Sequence, residues 1–515
     1  MSKFMQALKE ENNYTLTENQ AITYRSTLDG LLDLFALGGA YRARSDADVI
    51  NLFMKAFEED ETYALKCLFY LRDARGGQGE RRFFRVVCRW LAREHTEAMR
   101  RNLKYVPEYG RYDDLYVFVD TPLEKDAFAF IRDQLALDVQ CKTPSLLAKW
   151  LKSENTSSQE SRKLGNKTRI YLGMTHREYR KTLSVLRERI NVLERLMSAG
   201  KWDEIEFDKI PSRAGIIYKN AFARHDVERM RQGAEQSYED FAKDKNTKVN
   251  AKALYPYEVV AEAFKLTRGN SYTYATQRQY SNIALDNTER LMINKYWDNL
   301  EDYFQGASLD ALCVIDTSGS MWGAEASAPI NVAISIGLYC AEKAKGPFAG
   351  HYISFSSRPQ LIRTEGVDFC DKVERIYRTN LCDNTDIEAT FDMLLDTAKR
   401  NHCRQEDLPK SIIVVSDMEF DAARNSWGYG YNRTPKETLM EGIKRKWEAT
   451  GYKMPNLVFW CVESRRRDNI PMRVENGITM VSGFSPVLFQ QIMENKTALD
   501  LVLAKLNSER YAPIH

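Results

Sequence analysis

Asp316, Ser318 and Ser320 stand at alternate positions in the run Val314-Ile315-Asp316-Thr317-Ser318-Gly319-Ser320-Met321. One carboxylate and two hydroxyls at that spacing can converge on a hard divalent cation such as Mg²⁺ or Mn²⁺, with water completing an octahedron. Gly319 gives the turn its freedom. Further oxygen donors must come from other loops. The candidates are Thr385 in Asp383-Asn384-Thr385-Asp386 and Asp417 at the end of Ile412-Ile413-Val414-Val415-Ser416-Asp417. Taken alone, the D-x-S-x-S run also fits a turn with a helix N-cap. The presence of Thr385 and Asp417 is what turns the reading toward a metal.

These residues have to be positioned by the elements around them. After Gly306 the chain shows short apolar runs rich in β-branched residues, each followed by a helical pattern. Strands are expected at Ala311 to Ile315, Tyr352 to Phe355, Ser411 to Val415, Leu457 to Val462 and Ile478 to Val481. Helices are expected at about Pro329 to Ala344, Ile387 to Lys399, Pro435 to Ala449 and Pro486 to Lys505. Such alternation implies right-handed crossovers and a doubly wound, mostly parallel sheet covered on both faces. Ligands of such sheets bind beyond the carboxyl ends of the strands. The five oxygen donors follow or precede the appropriate strands and helices.

In these motifs and their order, residues 306–515 resemble the von Willebrand factor type A domain. The resemblance implies a metal-ion-dependent adhesion site made by Asp316, Ser318, Ser320, Thr385 and Asp417. It also implies an open metal position for a carboxylate from a protein partner, hence ligand binding rather than catalysis. Trp322 after the first metal loop, and Trp427, Tyr429 and Tyr431 on a Gly-rich loop after Asp417, could form a recognition rim. Local packing of a long loop explains them equally well.

Residues 1–305 read differently. Apolar residues recur at three and four, as in Val49, Leu52, Phe53, Ala56 and Phe57. The same pattern covers Phe83 to Leu91, Leu123 to Leu135, Ser145 to Leu151, Thr182 to Met197, Ala214 to Ala223 and Tyr257 to Leu266. No strand signal interrupts it. Consecutive helices with short connectors suggest a HEAT-like solenoid or ring of helix pairs, although no sequence repeat is visible. The overall expectation is therefore α + α/β, with domains at 1–305 and 306–515.

The net charge is only +2, yet basic residues cluster in the helical half. Arg72 to Lys104 holds ten basic and four acidic side chains, and Lys142 to Arg195 holds thirteen and five. Local fields of this kind attract polyanions, and they equally describe a solvated, ion-paired helix surface. If His176 to Arg187 is a helix, Arg177, Arg180 and Lys181 lie on one side as a rail for phosphates. Lys163, Lys167 and Arg169 precede it in a polar stretch that suits a mobile loop. His176 could stack on a base or be a surface histidine without a role. Arg72, Arg75, Arg81 and Arg82 flank Gly76-Gly77-Gln78-Gly79, whose amides could join them around phosphate. The alternative is that Arg72 and Arg75 pair with Asp73, Glu80 or a neighbouring helix.

With Leu147-Ala148-Lys149-Trp150-Leu151, Thr175-His176-Arg177-Glu178-Tyr179-Arg180-Lys181 and Leu254-Tyr255-Pro256-Tyr257-Glu258, these segments resemble the TROVE module of the Ro ribonucleoprotein family. The match is nearest to a related family that also joins this module to a von Willebrand A domain. The resemblance implies a ring that binds small structured RNAs outside and single-stranded ends in its hole, with the helix at His176 in RNA contact. The leading expectation is thus an RNA chaperone or ribonucleoprotein scaffold with a metal-dependent ligand site. The alternative is a metal-dependent protein-interaction scaffold without RNA.

Composition limits the other classes. With 43% hydrophobic and 28% charged residues the chain is globular. No run approaches the ~18–20 apolar residues of a membrane span, and no secretory signal follows Met1, so a soluble cytoplasmic protein without membrane partners is expected. Nine dispersed cysteines without a C-x-x-C pair read as reduced core thiols. No nucleophile–base pair, nucleotide loop or H-E-x-x-H marks an enzyme.

Overall fold

The computed structural model describes residues 3–268, 287–304, 309–323, 328–344, 346–379, 384–423, 437–475, 477–485, 487, 489 and 497–515. The chain divides into two compact units. One comprises residues 1–64 and 254–508, and the other residues 65–253 and 509–515. The junction expected at 305/306 therefore falls inside the first unit. The reason is apolar and ionic packing of the helices before it: Phe264 meets Tyr377 at a tilt with ring centroids 4.0 Å apart, Trp297 stacks at 4.1 Å on Phe369, and Arg290 forms a two-pronged pair with Asp368.

The first unit is built on a six-stranded sheet. Its strands are β3 (Ala311–Asp316), β4 (His351–Phe355), β5 (Gln360–Arg363), β6 (Ser411–Ser416), β7 (Asn456–Cys461) and β8 (Ile478–Ser482), in the order β5-β4-β3-β6-β7-β8. All neighbours are parallel except β4 and β5. Every residue of β3 and β8, and all of β6 and β7 after the first, is buried, which is why these segments read as unbroken apolar runs rather than alternating ones. β5 is an exposed edge strand, Gln-Leu-Ile-Arg, too short and polar to stand out in the sequence. The chain winds outward from β3 through β4 to β5, then returns beside β3 as β6 and winds the other way through β7 to β8. The change of direction lies between β3 and β6, and a crevice at their carboxyl ends is where doubly wound sheets take ligands.

The helices match expectation at Pro329–Lys343 and Ile387–Arg400, and Phe369–Thr379 adds one more. The helix expected from Pro435 begins, in its described part, at Leu439 behind a Thr438–Glu441 capping box. Of the helix expected from Pro486, the described part is Ala498–Leu506.

Residues 1–64 belong to this unit and carry an antiparallel hairpin, β1 (Tyr14–Leu16) and β2 (Ile22–Tyr24), where only helices were expected. Its short strands pair further: Tyr24 and Ile470 exchange backbone hydrogen bonds of 3.0 and 2.9 Å. The apolar helix Gly30–Leu37 lies against β8, and a Cβ on Gly39 would stand 2.8 Å from the Gly483 Cα, so only glycine permits that approach.

The second unit is helical. Its longer helices are Arg81–Glu94, Glu124–Gln140, Gln159–Tyr171, His176–Arg189 and Ser212–Arg224. Ser158 caps the third of these, so Lys163, Lys167 and Arg169 stand on a helix and not in a mobile loop. The segment expected to be helical from Thr182 to Met197 breaks at Ile190, where His176–Arg189 ends and Leu193–Ser198 begins. Phe69 meets Phe84 and Tyr109 edge-on at 5.3 Å, and Tyr109 stacks at 5.6 Å on Tyr511 from the chain's last residues.

Candidate metal centre and basic surface

Strand β3 ends at Asp316, and β6 delivers Ser416 and Asp417 beside it. The Asp316 carboxylate is fully buried; it accepts the Ser318 N–H at 2.9 Å and the Ser416 hydroxyl. The Ser318 and Ser320 hydroxyls are 3.1 Å apart. Ser320 in turn hydrogen-bonds Asp417, whose Oδ1 also accepts the Glu419 N–H at 3.2 Å. Four of the five proposed donors thus form one connected cluster. Burial pushes both carboxyl groups up from their ordinary values, and repulsion from Asp417 adds to it at Asp316.

Thr385 is held by residues outside that cluster. Its hydroxyl donates to Asp421 Oδ1 at 2.9 Å and accepts from Asn19 Nδ2 at 2.7 Å, and its carbonyl accepts the Asp421 N–H. One lone pair of the hydroxyl remains. Between Asp417 and Asp421 the chain turns through Met418, a buried side chain at φ 63°, a conformation that residues other than glycine seldom hold without a local reason.

The donor set fits a hard divalent cation. Two buried like charges cost free energy that a cation between them would offset, and all the available donors are oxygens. Arg465, whose charge acts on Asp417, is exposed and is held by the Ser320 carbonyl and Glu463. Among the described residues no group of three or more His, Cys, Asp or Glu side chains is placed to hold a metal. Any cation here would therefore depend on the hydroxyls as well as the two carboxylates.

Of the expected aromatic rim, Trp322 is half-buried, donates its indole N–H to the Thr317 carbonyl at 3.2 Å and meets Tyr377 edge-on at 5.7 Å. It is packed locally. Trp427, Tyr429 and Tyr431 lie outside the described residues.

In the helical unit the basic candidates separate into two sets. Arg177, Arg180 and Lys181 are exposed on the helix His176–Arg189, and Lys163 is exposed on the preceding helix. The others are engaged within the fold. Lys167 binds Asp120 and Glu124 at 2.9 and 2.6 Å. Arg169 and His176 share Glu154, at 2.7 and 3.0 Å. Arg72 is buried against Asp114, and Arg75 donates to the Glu108 carbonyl at 2.7 Å. Arg81 and Arg82 are half-buried at the start of the helix Arg81–Glu94.

The glycine turn is no phosphate cradle either. The amides of Arg75 and Gly76 bond the Asp73 carboxylate, and those of Gln78, Gly79 and Glu80 bond the Tyr70, Asp73 and Leu71 carbonyls. A Cβ on Gly77 would overlap the Tyr70 carbonyl oxygen. These glycines serve close packing.

The family model described as "Domain of unknown function (DUF2828)" matches residues 17–127 and 134–306, together more than half of the chain. The chain belongs to the DUF2828 family. In this DUF2828 protein a second model, "Domain of unknown function (DUF7788)", matches residues 310–510 and so covers the sheet with its candidate metal loops. The chain is also similar to "Uncharacterized protein L728" of Acanthamoeba polyphaga mimivirus, 28% identical over 93% of this chain and 85% of that protein. The DUF2828 match runs through the 253/254 division of the compact units, so sequence family and contact unit are drawn along different lines.

The residues around the metal loops that the sequence did not reveal are Glu18, Asn19, Glu419 and Asp421. Thr17 donates to the Phe420 carbonyl, the Glu18 N–H to Glu419 Oε2, and Asn19 Nδ2 to both Thr385 Oγ1 and the Glu419 carbonyl. Nothing local in an 11-residue hairpin announces a partner four hundred positions away.

Proposed function

We propose that this protein is a divalent-cation-dependent binding protein. In this reading Asp316, Ser318, Ser320, Thr385 and Asp417 hold Mg²⁺ or Mn²⁺, as the von Willebrand A resemblance implies. A carboxylate from a protein partner completes the coordination, and no catalysis is involved. The observation that carries it is the pair of buried carboxylates, Asp316 and Asp417, meeting at the reversal point of the sheet. Thermal unfolding with and without Mn²⁺ tests it. A ligand at 100 times its Kd stabilises by about 2.7 kcal/mol. The wild type should gain such stability, and Asp316→Ala should not; an equal gain in both ends the proposal.

A second reading, RNA binding on a helical surface like that of the Ro family, is favoured by one observation. Arg177, Arg180 and Lys181 are all exposed on a single helix, and Lys163 is exposed on the helix before it. The protein would then act as an RNA chaperone or ribonucleoprotein scaffold, with a HEAT-like helical half and a von Willebrand A-like sheet. A cytoplasmic location belongs to the same reading, supported by the free thiols of all described cysteines. No helix among the described residues is long and apolar enough to cross a membrane.

A further inference from the structure

The helical unit carries a cleft between two of its longer helices. Lys181, Thr182, Val185, Leu186 and Arg189 of the helix His176–Arg189 line one wall, and Val139, in the last turn of the helix Glu124–Gln140, lines the other. The first wall is a single helix face, since Lys181, Val185 and Arg189 follow one another at intervals of four and Thr182 and Leu186 run beside them at the same interval. Leu186 is buried, whereas Val139 and Val185 are 46% and 38% exposed, so the cleft presents apolar surface to solvent. Its volume is about 180 Å³.

The charge along this cleft is of one sign. Lys181 stands one turn before Val185, and Arg189 one turn after it. The Arg189 guanidinium donates to the Val139 carbonyl at 2.9 Å and to the Cys141 carbonyl at 3.5 Å, which fixes it at one end of the cleft without cancelling its charge. Neither cation has a carboxylate partner among the described residues. The acids close to them in sequence are engaged elsewhere. Glu178 accepts the Thr175 N–H at 2.7 Å, Glu188 pairs with Arg195 at 2.6 Å, and the buried Asp138 accepts the Ser145 N–H and hydroxyl at 3.0 and 2.7 Å. An apolar centre between two uncompensated cations calls for an occupant with the opposite pattern.

We propose that this cleft docks an extended segment of a partner protein in which one aliphatic side chain is flanked, two residues away on each side, by carboxylates. The dimensions agree. From Lys181 to Arg189 the helix rises about 12 Å. In an extended chain, residues four apart are about 13 Å from each other, and they share one side with the residue midway between them. The two acids of such a segment therefore meet Lys181 and Arg189 while the aliphatic group enters between Val139 and Val185. The cleft is below the roughly 300–1,000 Å³ of small-molecule sites, so a single side chain suits it better than a metabolite. No aromatic ring lines it for a nucleobase to stack on, which favours protein over RNA. The cleft contains none of the candidate metal donors, and Val185 carries no charge, so its role is separable from the phosphate contacts expected of Arg177, Arg180 and Lys181.

Calorimetric titration of the full chain with the peptide acetyl-Gly-Glu-Ser-Leu-Ser-Glu-Gly-amide, in EDTA so that no cation takes part, tests the cleft. Saturable binding with a Kd of ~1 mM or tighter is expected. Val185→Asn, or Asn in place of the peptide's Leu, should weaken it about tenfold or more. Lys181→Gln and Arg189→Gln should each weaken it about two- to fivefold, the worth of an exposed ion pair. Circular dichroism checks the fold, and Lys181→Gln, an exposed change, decides the matter if Val185→Asn does not fold. The absence of saturable heat up to ~5 mM peptide, or wild-type affinity in the folded variants, overturns the proposal. Oligouridine is titrated in parallel: if Val185→Asn weakens its binding and leaves that of the peptide unchanged, the cleft belongs to RNA and the proposal is equally overturned.

Discussion

Arg510 reaches back 437 positions to close on Asp73: its Nη2 donates to Asp73 Oδ1 at 2.6 Å, its Nε to Oδ2, and the neighbouring Tyr511 hydroxyl donates to Oδ2 at 2.9 Å. The Asp73 carboxylate is fully buried at the base of the glycine turn, so residues 509–515 form part of the helical unit's core. Burial alone would raise its pKa; the Arg510 hydrogen bonds and charge, with the Arg75 and Gly76 amides, outweigh that and hold it below the usual value. A depressed carboxylate contributes stability that is complete above the unfolded value of about 3.9 and is lost as pH falls through the folded value. Acid unfolding of the helical unit should therefore gain a component below about pH 4 that Asp73→Asn removes. At neutral pH that variant should lose on the order of 2–3 kcal/mol in urea denaturation. Deleting residues 509–515 should cost at least as much.

Asn19 should matter to the metal although it is no ligand. It holds the Thr385 hydroxyl from the hairpin turn, and residues that orient metal ligands typically change affinity about 10–100-fold. Asn19→Ala should weaken Mn²⁺ binding, measured by calorimetry, by about tenfold while leaving the unfolding temperature in EDTA within a few degrees of wild type. Unchanged affinity would remove Thr385 from the donor set.

Replacing Arg177, Arg180 and Lys181 together with Ala should make the log–log salt dependence of RNA binding shallower by about two to three units, since each lost phosphate contact removes about 0.7–0.9. Asp316→Ala should leave that slope unchanged. Filter binding across a salt series reads both. A wild-type protein with no RNA affinity at ~50 mM salt defeats the RNA reading.

Gly39→Ala should destabilise the sheet-bearing unit by about 1–3 kcal/mol, because the new Cβ meets Gly483 backbone that cannot rotate away. Thermal unfolding followed by near-ultraviolet circular dichroism would report it; an unchanged midpoint would mean that the helix Gly30–Leu37 can back away from β8.

The parallel strands were legible in the sequence because each is a buried, β-branched run bounded by turns, and Asp316 and Asp417 because each ends such a run. Long helices were legible from their apolar period. What escaped was non-local. β1 and β2 have three residues each, and the hairpin's partners are distant: Tyr24 of β2 pairs with Ile470, and Thr17 in the turn bonds Phe420. Tyr257 to Leu266 reads as one more helix of the helical half, but Phe264 on it packs against Tyr377 of the sheet-bearing unit. Basic residues mislead in a similar way: Arg72 and Arg177 look alike as letters, and only the position of Asp114 decides that the first is an internal ion pair.

The three crossings of the chain between its units, at 64/65, 253/254 and 508/509, bear on how the protein is made. On a ribosome adding roughly 5–20 residues per second, the apolar helix Gly30–Leu37 emerges on the order of half a minute before β8, the strand it covers. The hairpin likewise waits for Phe420 and Ile470, and Asp73 waits for Arg510. Neither unit can finish folding as a nascent fragment. Through most of its synthesis this chain presents a sticky leading segment, and that makes it a natural client for holding chaperones.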